Sequence, residues 1–531
     1  MNRLQRKSRQ WWHILTTPRM ATAQKLSDEA FLTLFDRTDL RCRLEEGDIS
    51  GAKSALVEGL GHRAKPKWPP VPGFNDVDER ELLRRADSMM ENCFFFPGLP
   101  DIWLGDSIDW HYNPTQDREW LWALNRHEWL LFLLSAARIT GKQCYAEKAI
   151  GLILDWIKKN PPPPRRDETS PTWRLMEVSI RLYFSWIPAL GFLWHNPAFS
   201  VDAKLTALRA VYDHATFLTL FRTHKNHLIR ESLGLAYAGI YFPEFSEAKQ
   251  WRETALARLE KELVNQVHAD GSHFEVATGY QWLVVEEYQR VFDLLQHAGY
   301  ALPSEDLAGW LTLMYRVLAY VIRPDGTYPQ INDGFGFRPE RDPVLLRMLE
   351  RAGEIFECGD LVYVGSKGGK GRCPQRASAA FADAGFYVMR SAWCQSARYL
   401  FFDCGPYGGV HGHEDKLNIE VYAFGQPFIV DPGTYSYHRE NPFRRYFVSS
   451  HSHSVVTVDH KSQVRRWQKE PLTAASAEGN GALWVSQPAY DYAEADYEGP
   501  FGDFDLCRPR GCMTIDDVVH TRRLLFVKPD Y

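Results

Sequence analysis

Four histidines and one aspartate toward the C-terminal end of this chain have the residue types and spacing for metal or proton chemistry. His411 and His413 lie two residues apart, Asp431 begins an Asp-Pro-Gly turn, and His451 and His453 are again two residues apart. Residues two apart project to the same side of an extended backbone, and the turn bends the chain back toward the first pair. Imidazoles and a carboxylate gathered in this way predict a metal site, a proton-transfer site, or both.

The set of His413, Asp431 and His453 offers nitrogen, oxygen and nitrogen ligands suited to zinc, and His411 is left over. Isolated histidines are more often ordinary hydrogen-bonded residues than ligands. The residues alone therefore leave both interpretations open.

Another group of polar residues lies in a helical part of the chain. Asn226 and His227 open a helical pattern after the basic turn at 222–225, where an Asn is more often a helix cap than a binding residue. Tyr280 heads a further helix, and such a tyrosine usually packs. It becomes catalytic only where its neighbours lower the cost of the phenolate.

Two charged clusters allow a structural and a functional interpretation. Arg444 and Arg445 form a basic pair that would suit a carboxylate or sulfate if it lay in a cleft, although most such pairs are solvated. Trp173, Glu177 and Arg181 share one helix face at spacings of four. That spacing favours an internal ion pair beside packed indoles over a substrate contact.

The first two thirds of the chain has helical periodicity. Apolar residues recur at spacings of three and four, with short Gly and Pro stops between the segments. The predicted helices are 128–138, 144–158, 173–194, 201–222, 226–241, 247–267, 280–298 and 307–322. So many helices with short connections predict a curved or closed array of helix pairs.

The character of the sequence changes near residue 353. A Gly-rich run at 365–371 indicates a linker, and strand-like segments separated by Gly, Pro, Asn and Asp follow it. The predicted strands are 385–390, 398–403, 418–424, 427–430, 454–458, 483–486 and 522–528. We expect an antiparallel β domain that is either truncated or small, because the chain stops with a modest number of strands and an unpaired edge would be prone to aggregation.

Composition limits the classes of function. The chain has 531 residues and 45% hydrophobic content, enough for at least two domains, and its net charge of -5 gives no reason to expect a nucleic-acid partner. Nine Cys, an odd number, favour free thiols in a reducing compartment. No stretch is apolar enough to span a membrane.

The N-terminus is basic and has no signal-peptide core, since its apolar patch at 11–15 is short and contains His13. We therefore expect a cytoplasmic location rather than a periplasmic one. A solvated leader is favoured over a surface helix that touches anionic lipid.

Taken together, the motifs resemble those of the heparinase II/III-like polysaccharide lyases. The most specific are His411-Gly412-His413 with Asp415, and Asp431-Pro432-Gly433-Thr434-Tyr435. The other matching pieces are Ile108-Asp109-Trp110-His111, Leu124-Asn125-Arg126-His127, Asn226-His227-Leu228, Asp270-Gly271-Ser272 with Glu275 and Tyr280, and His453 with Asp459.

The resemblance implies an N-terminal (α/α) toroid, which is an incomplete helical barrel, followed by a C-terminal antiparallel β-sandwich. The predicted organisation is a basic leader and helices over 1–75, the toroid over 76–350, a linker over 351–382 and the sandwich over 383–531. By the same analogy the site lies between the two domains, a frequent place for clefts.

The resemblance also implies β-elimination from a uronic-acid-containing polysaccharide. Asn226, assisted by His227, would neutralise the uronate carboxylate, while Tyr280 and His411 supply base and acid in an order that depends on the sugar. His413, Asp431 and His453 would hold a structural divalent metal, zinc or else calcium.

We expect substrate contacts from Arg444, Arg445, Trp110 and Glu275. The expected partner is an acidic polysaccharide or oligosaccharide.

Two other functions remain open. A helical toroid can carry a glycoside hydrolase, which needs two carboxylates such as Asp270 with Glu275, or Glu286 with Glu287. The chain could also bind or assemble carbohydrate without turnover.

Overall fold

The computed structural model describes residues 20–72, 77–96, 101–115, 118–303, 305–334, 342–437, 441–467, 474, 482–503 and 513–528. The basic stretch before Met20, predicted as a leader, lies outside these residues. None of the helices within the described ranges is both long enough and apolar enough to cross a membrane.

Helices dominate the chain up to residue 365. They are α1 (Asp28–Leu32), α2 (Thr38–Glu45), α3 (Ile49–His62), α4 (Glu79–Met90), α5 (Arg118–Arg126), α6 (Leu130–Thr140), α7 (Gln143–Lys159), α8 (Leu175–Ile180), α9 (Ile187–Leu193), α10 (Val201–Leu220), α11 (Asn226–Tyr241), α12 (Ala248–Gln266), α13 (Thr278–Ala298), α14 (Leu307–Val321), α15 (Asp342–Ile355) and α16 (Gly359–Gly365). A π-helical segment, Arg181–Trp186, joins α8 to α9. All eight predicted helices are present, with ends shifted by a few residues.

Local signals explain several helix ends. The Ser200 side chain accepts a hydrogen bond from Ala203 N at the start of α10, and the Asp306 side chain accepts one from Gly309 N at the start of α14. Gly141 ends α6 with a φ of 70°, a left-handed conformation that favours glycine. Caps and stops of this kind are readable in sequence, which is why the helices were predicted well.

Beyond residue 365 the regular elements are mainly strands, and two short strands lie among the helices. The strands are β1 (Cys93–Phe94), β2 (Ile102–Trp103), β3 (Ala379–Phe381), β4 (Phe386–Arg390), β5 (Tyr399–Asp403), β6 (Asn418–Ala423), β7 (Gln426–Ile429), β8 (Ser462–Gln463), β9 (Leu483–Ser486), β10 (Tyr490–Tyr497), β11 (Phe501–Gly502), β12 (Thr514–Ile515) and β13 (His520–Val527), and a short helix, α17 (Pro442–Val448), lies among them. All pairings are antiparallel, and the largest sheet has the order β3-β4-β5-β6-β7. The predicted change from helices to an antiparallel β region is confirmed.

The chain divides into two compact units. The first ends at Glu260 and includes Gln296–Pro303, and the second consists of Lys261–Leu295 and the chain after Pro303. The predicted boundaries at 75, 350 and 382 remain predictions.

The first unit has a core of tryptophans around a buried arginine. The Arg181 guanidinium lies 4.2 Å from the Trp156 ring centroid, and its Nε donates to His214 Nε2 at 3.1 Å. Glu177 is fully buried and pairs with Arg174 at 3.2 Å. The interpretation of this cluster as internal is confirmed, although Arg181 hydrogen-bonds to His214 rather than to Glu177.

In the second unit, the five-stranded sheet is covered on both faces. Tyr387 and Met389 of β4 pack against Phe526 of β13 in an apolar cluster. On the opposite face, the Tyr399 hydroxyl donates to Val321 O at 2.7 Å, at the end of α14. The two faces of the sheet therefore contact two different layers, because side chains project to both sides of a pleated sheet.

Three local predictions differ from the structure. Residues 454–458 were predicted as a strand but form a turn with one isolated bridge, Val458 to Lys461, because Asp459 and His460 both have positive φ. The stretch 351–382 was predicted as a linker, yet α15 continues to Ile355 and α16 lies within it. Strand β10 was missed because its Ala, Glu and Asp residues have low strand propensity.

Candidate functional site

The site in the second unit is built on the start of α13. Thr278 Oγ1 donates to Pro329 O at 2.8 Å and accepts from Ile331 N at 2.9 Å, so the first turn of the helix is joined to the segment that follows α14. A Cβ at Gly279 would lie 2.4 Å from Gly334 Cα. Only glycine allows these two backbones to approach so closely, and the approach brings Tyr280 next to Asp333.

Asp333 is the centre of the site. Its carboxylate is fully buried and faces His411 Nδ1 at 3.3 Å and His413 Nε2 at 3.0 Å. Arg444 donates a hydrogen bond to each of the two carboxylate oxygens, and the bond to Oδ2 is 2.7 Å long. The Thr434 hydroxyl donates to Oδ1 at 3.0 Å. One carboxylate thus orients two histidines and an arginine.

These partners keep Asp333 ionised. Burial alone would raise the pKa of Asp333, but hydrogen bonds from His411, His413 and Arg444 outweigh it and hold the pKa well below its usual range. The backbone supports the arrangement, since Asp333 N donates to His411 O at 3.0 Å and His413 N donates to Asn332 Oδ1 at 2.6 Å.

Tyr280 and His411 meet directly. Their rings stack with centroids 3.9 Å apart and an interplanar angle of 26°. Burial raises the pKa of Tyr280, and its hydrogen bond with the half-exposed Tyr437 and the charges of Glu275 and Asp333 raise it further. The Tyr280 phenol therefore holds its proton at neutral pH.

His411 lies in a loop between β5 and β6, not on the extended backbone that the sequence suggested. Gly412 N donates to Gly409 O at 3.0 Å in a turn that precedes His413. Because Nδ1 of His411 faces the ionised Asp333, that nitrogen carries the hydrogen, and Nε2 is the nitrogen that can exchange a proton.

A candidate metal centre adjoins this pair. His413, Asp415 and His453 each offer a ligand atom, and these atoms all lie within 4.8 Å of one another. Three buried atoms here have no hydrogen-bond partner among the described residues: His413 Nδ1, His453 Nε2 and Asp415 Oδ2. Unpartnered nitrogen and oxygen atoms that converge at this distance fit a cation.

The other nitrogen of each histidine is held by a carboxylate. His413 Nε2 faces Asp333 at 3.0 Å, and His453 Nδ1 faces Asp431 at 2.7 Å. Carboxylates commonly orient metal-binding histidines in this way. Burial alone would lower the pKa of His453, but Asp431 outweighs it and raises the pKa to about 9.

The ligand group differs in one residue from the predicted set. Asp431 was predicted as the third ligand, and in the structure its carboxylate accepts from Asn418 Nδ2 at 2.7 Å and from Gly433 N at 2.9 Å, besides facing His453. Asp415 is the third member of the group. Its Oδ1 accepts a hydrogen bond from Arg465 Nη1 at 2.9 Å.

The residues predicted to bind substrate fall into two classes. Arg445 is exposed, whereas Arg444 is buried and its guanidinium lies on Asp333. Trp110 is 1% exposed, and its indole donates to Asp155 Oδ2 at 2.9 Å within the core of the first unit. Glu275 is also buried, near enough to Tyr280 to affect its pKa. Only Arg445 of these four has the exposure that a substrate contact needs.

Asn226 and His227 belong to the first unit, where they begin α11. The prediction that Asn226 caps this helix is wrong. Lys225 occupies the cap position with a φ of 60° and makes no side-chain cap hydrogen bond. Asn226 and His227 are both half-buried.

Sequence reasoning missed Asp333 and Tyr437. Asp333 stands in an Asn332-Asp333-Gly334 run, which is typical of a turn and gives no sign of a buried carboxylate. Tyr437 belongs to an irregular segment with no periodicity. Only proximity in space identifies either residue.

Both parts of the chain match models of one protein family. A family model described as Heparinase II/III N-terminus matches residues 36–359, and one described as Heparinase II/III-like, C-terminal matches residues 374–497. A heparin-sulfate lyase of Bacteroides stercoris is 28% identical over 506 residues, 88% of this chain and 74% of that protein. A heparin-sulfate lyase of Pedobacter heparinus is 26% identical over 438 residues, 79% of this chain and 65% of that protein.

Solved structures agree with the family models. A heparinase III with methylated lysines superposes with a TM-score of 0.72 at 25% identity, covering 95% of this chain and 78% of that one. Another heparinase III superposes with a TM-score of 0.76 at 22% identity, covering 96% of this chain and 77% of that one. The predicted fold class, a helical toroid followed by an antiparallel β-sandwich, is confirmed.

Proposed function

The chain belongs to the heparinase II/III family of polysaccharide lyases, and we propose that it cleaves a uronate-containing glycosaminoglycan by β-elimination at Tyr280 and His411. The observation that carries this proposal is the stacked pair of Tyr280 and His411 beside the buried carboxylate of Asp333. The relatives named heparin-sulfate lyases support a glycosaminoglycan as the substrate class.

The reaction needs a base for the proton at C5 of the uronate and an acid for the oxygen that leaves C4. The C5 proton is poorly acidic because negative charge accumulates on a group that is already anionic. A base, an acid and a donor toward the carboxylate are therefore required together.

We assign the acid to Tyr280 and the base to His411. A phenol whose pKa is raised keeps its proton and can deliver it to the leaving oxygen. An imidazole whose Nδ1 is held by an ionised carboxylate can accept a proton at Nε2, since the carboxylate stabilises the resulting imidazolium.

A substrate analogue separates the two roles. In Tyr280→Phe, a uronide whose C4 group leaves without protonation should regain much of the lost rate if Tyr280 is the acid. His411→Ala should gain nothing from the same analogue. If the analogue rescues His411→Ala instead, the roles are reversed.

The roles of Asn226 and His227 remain part of the proposal through family resemblance. Asn226 would donate hydrogen bonds to the uronate carboxylate, and His227 would assist it. Both variants, Asn226→Ala and His227→Ala, should reduce turnover without lowering the melting temperature by more than a few degrees.

For the metal, we propose a structural divalent cation, with zinc favoured by the histidine content of the group. His413, Asp415 and His453 would hold it, and a bound cation would cross-link the loop after β5 to the segment after α17. Asp431 would orient His453 rather than bind the ion.

Metal content and stability test this assignment without any activity assay. Chelator treatment should lower the melting temperature, and zinc should restore it. Asp415→Asn should abolish stoichiometric metal in mass spectrometry, whereas Asp431→Asn should weaken binding by about 10- to 100-fold and retain stoichiometric metal at excess zinc. If Asp431→Asn abolished stoichiometric metal and Asp415→Asn only weakened binding, Asp431 would be the ligand.

Products decide between the lyase and the other two functions. Incubation with a panel of uronate polymers should give an unsaturated product that absorbs in the ultraviolet, and His411→Ala should remove it. Reducing ends without that absorbance would indicate a hydrolase. Binding without any product would indicate a carbohydrate-binding protein.

A further inference from the structure

A pocket on the second unit shares no lining residue with the site described above. It lies between the end of α14, the Gly-rich turn after α16 and the loop after β4, and has a cavity volume of about 150 Å³. Its charged lining is three cationic side chains, Arg323, Lys367 and Arg390, and one carboxylate, Asp325. The lining is therefore cationic, although the chain as a whole carries a net charge of -5.

Arg390 is the unusual member of this lining. It is 2% exposed, and among the described residues no carboxylate lies within ion-pair distance of it. Burial lowers the pKa of Arg390 to about 10, which still leaves it charged at neutral pH. Buried charges are nearly always paired, so a buried guanidinium that lines a pocket suits an anionic ligand.

Structural contacts account for only some of the hydrogen-bond donors of the Arg390 guanidinium. One terminal nitrogen, Nη2, donates to Tyr320 O at 3.2 Å and to Ile322 O, at the carbonyl end of α14. The ring of Trp393 covers one face at 4.4 Å. Nε, however, is buried without a hydrogen-bond partner among the described residues.

The two other cations differ in availability. Arg323 is already neutralised by Glu420, with hydrogen bonds of 3.0 and 2.7 Å. Lys367 donates to a neutral carbonyl, Asp325 O, at 3.1 Å and retains its charge for a ligand. Asp325 is itself engaged, because its Oδ1 accepts from Thr327 N and the Thr327 hydroxyl.

We propose that this pocket is a second anion site, which binds a carboxylate or sulfate group between Arg390 and Lys367. A planar guanidinium and an ammonium suit an oxyanion, because each makes charge-assisted hydrogen bonds to it. The ligand class is a small acidic saccharide or inorganic oxyanion. The proposal does not depend on the lyase reaction.

Isothermal titration with sodium glucuronate and, separately, with sodium sulfate tests the proposal on the full chain at constant ionic strength. Lys367→Gln should weaken the affinity for the bound probe about tenfold, the effect of losing one charge-assisted hydrogen bond. Lys370→Gln is the matched control. It removes the same charge three residues away, where the lysine pairs with Glu350 and does not line the pocket, and should bind like the wild type.

Arg390→Met is the second variant and should abolish the binding that Lys367→Gln weakens. Circular dichroism tests whether this variant is folded. If it is not folded, the comparison of Lys367→Gln with Lys370→Gln alone tests the proposal. Binding of glucuronate alone would identify a carboxylate site, and binding of sulfate alone a sulfate site. The proposal would be overturned if Lys367→Gln and Lys370→Gln bound each probe with equal affinity. It would also be overturned if neither probe showed saturable binding.

Discussion

Asp333 shows how a single buried residue can organise a reaction centre. It contacts the proposed base, His411, the candidate metal ligand His413, and the buried Arg444. Removal of one partner from such a buried network leaves the others uncompensated, which is costly in stability. The geometry of the site therefore depends on a residue that need not touch the substrate.

The clearest prediction at the scale of single residues concerns Tyr280. Tyr280→Phe removes the proton donor and keeps the ring that stacks on His411, so the fold should be unchanged. We expect kcat to fall at least about a hundredfold, the usual contribution of a general acid. The rate of formation of the unsaturated product measures it.

Tyr446→Phe is the matched control for this change. Tyr446 is 51% exposed, and its hydroxyl donates only a long hydrogen bond of 3.3 Å to His451 O. Its loss should leave kcat within about twofold of the wild type, as for most surface substitutions. Equal losses in the two variants would refute a specific role for Tyr280.

Glu231 of α11 is a buried acid outside the reacting pair. Its side chain accepts from Thr223 N at 2.8 Å and from the Thr223 hydroxyl, which ties the turn before α11 to the helix. Burial raises the pKa of Glu231 to about 7, although the Thr223 hydrogen bonds and Arg258 oppose this rise. The folded protein thus binds a proton here that the unfolded chain releases at lower pH.

This pKa gives a pH prediction with a definite sign. Because the pKa of Glu231 is higher in the folded state, its contribution to stability is present at low pH and is lost as pH rises through about 7. The Glu231→Gln variant has no titrating group at this position, so it cannot lose this contribution to stability. Between pH 5 and 8 the wild type should lose about 2 kcal/mol of unfolding free energy relative to the variant.

Urea unfolding followed by circular dichroism at both pH values measures this difference. Glu253→Gln, at a position whose side chain is 62% exposed and pairs with Lys249 at 3.8 Å, serves as control. It should follow the wild type at both pH values. A Glu231→Gln variant that does the same would contradict the prediction.

At the scale of elements, α17 has two faces with different roles. Asn441 caps its start and Pro442 follows the cap, so a short helix is fixed at this position. Arg444 points inward to Asp333, while Phe443 and Tyr446 are more than half exposed. Exposed aromatic rings beside a proposed lyase site suit contact with sugar rings.

The aromatic face of α17 extends to Tyr435, whose ring centroid is 5.2 Å from that of Phe443. Phe443→Ala should raise KM for a long polymer about three- to tenfold and leave kcat unchanged, since an aromatic contact contributes about 0.5–1.5 kcal/mol beyond its area. Kinetics on polymer and on short oligosaccharide measure this. The effect should be smaller on the short substrate.

Phe424→Ala controls for loss of a surface ring, because Phe424 is 75% exposed in the two-residue turn between β6 and β7. It should leave both constants unchanged. A loss of kcat in Phe443→Ala would mean that the helix moved and that Arg444 no longer held Asp333.

At the scale of the whole molecule, the family resemblance assigns roles in the proposed reaction to residues of both compact units. Asn226 belongs to the first unit, and Tyr280 and His411 belong to the second. If they serve one reaction, their substitutions should not have independent effects. Asn226→Ala alone should reduce kcat/KM by about a hundredfold or more, as for removal of a donor to developing charge.

The double variant Asn226→Ala with Tyr280→Phe tests that dependence. Its loss in kcat/KM should be close to that of the more damaging single variant and far below the product of the two. Full multiplicative losses would show that Asn226 acts separately from Tyr280. The product assay and a melting curve on each variant distinguish lost chemistry from lost folding.

The amino-acid sequence by itself determined eight helical segments and six of the thirteen strands in the described part of this protein. Helix ends carry local signals, such as the Ser200 cap and Gly141. A break between two strands was predicted at 425–426, and the turn between β6 and β7 lies one residue earlier, at Phe424 and Gly425. Periodicity and caps act over a few residues, so they can be read without a fold. The motifs at 411–415 and 431–435 also identified the family before any geometry was known.

Only the tertiary structure decided how the site is assembled. Asp333 looks like a turn residue in the sequence but is the buried partner of His411 and Arg444, and Asp415 rather than Asp431 groups with the two histidines. Trp110 and Arg444, predicted at the substrate, are buried. Burial and hydrogen bonding depend on contacts between residues far apart in the chain, and such contacts leave no periodic pattern in the sequence.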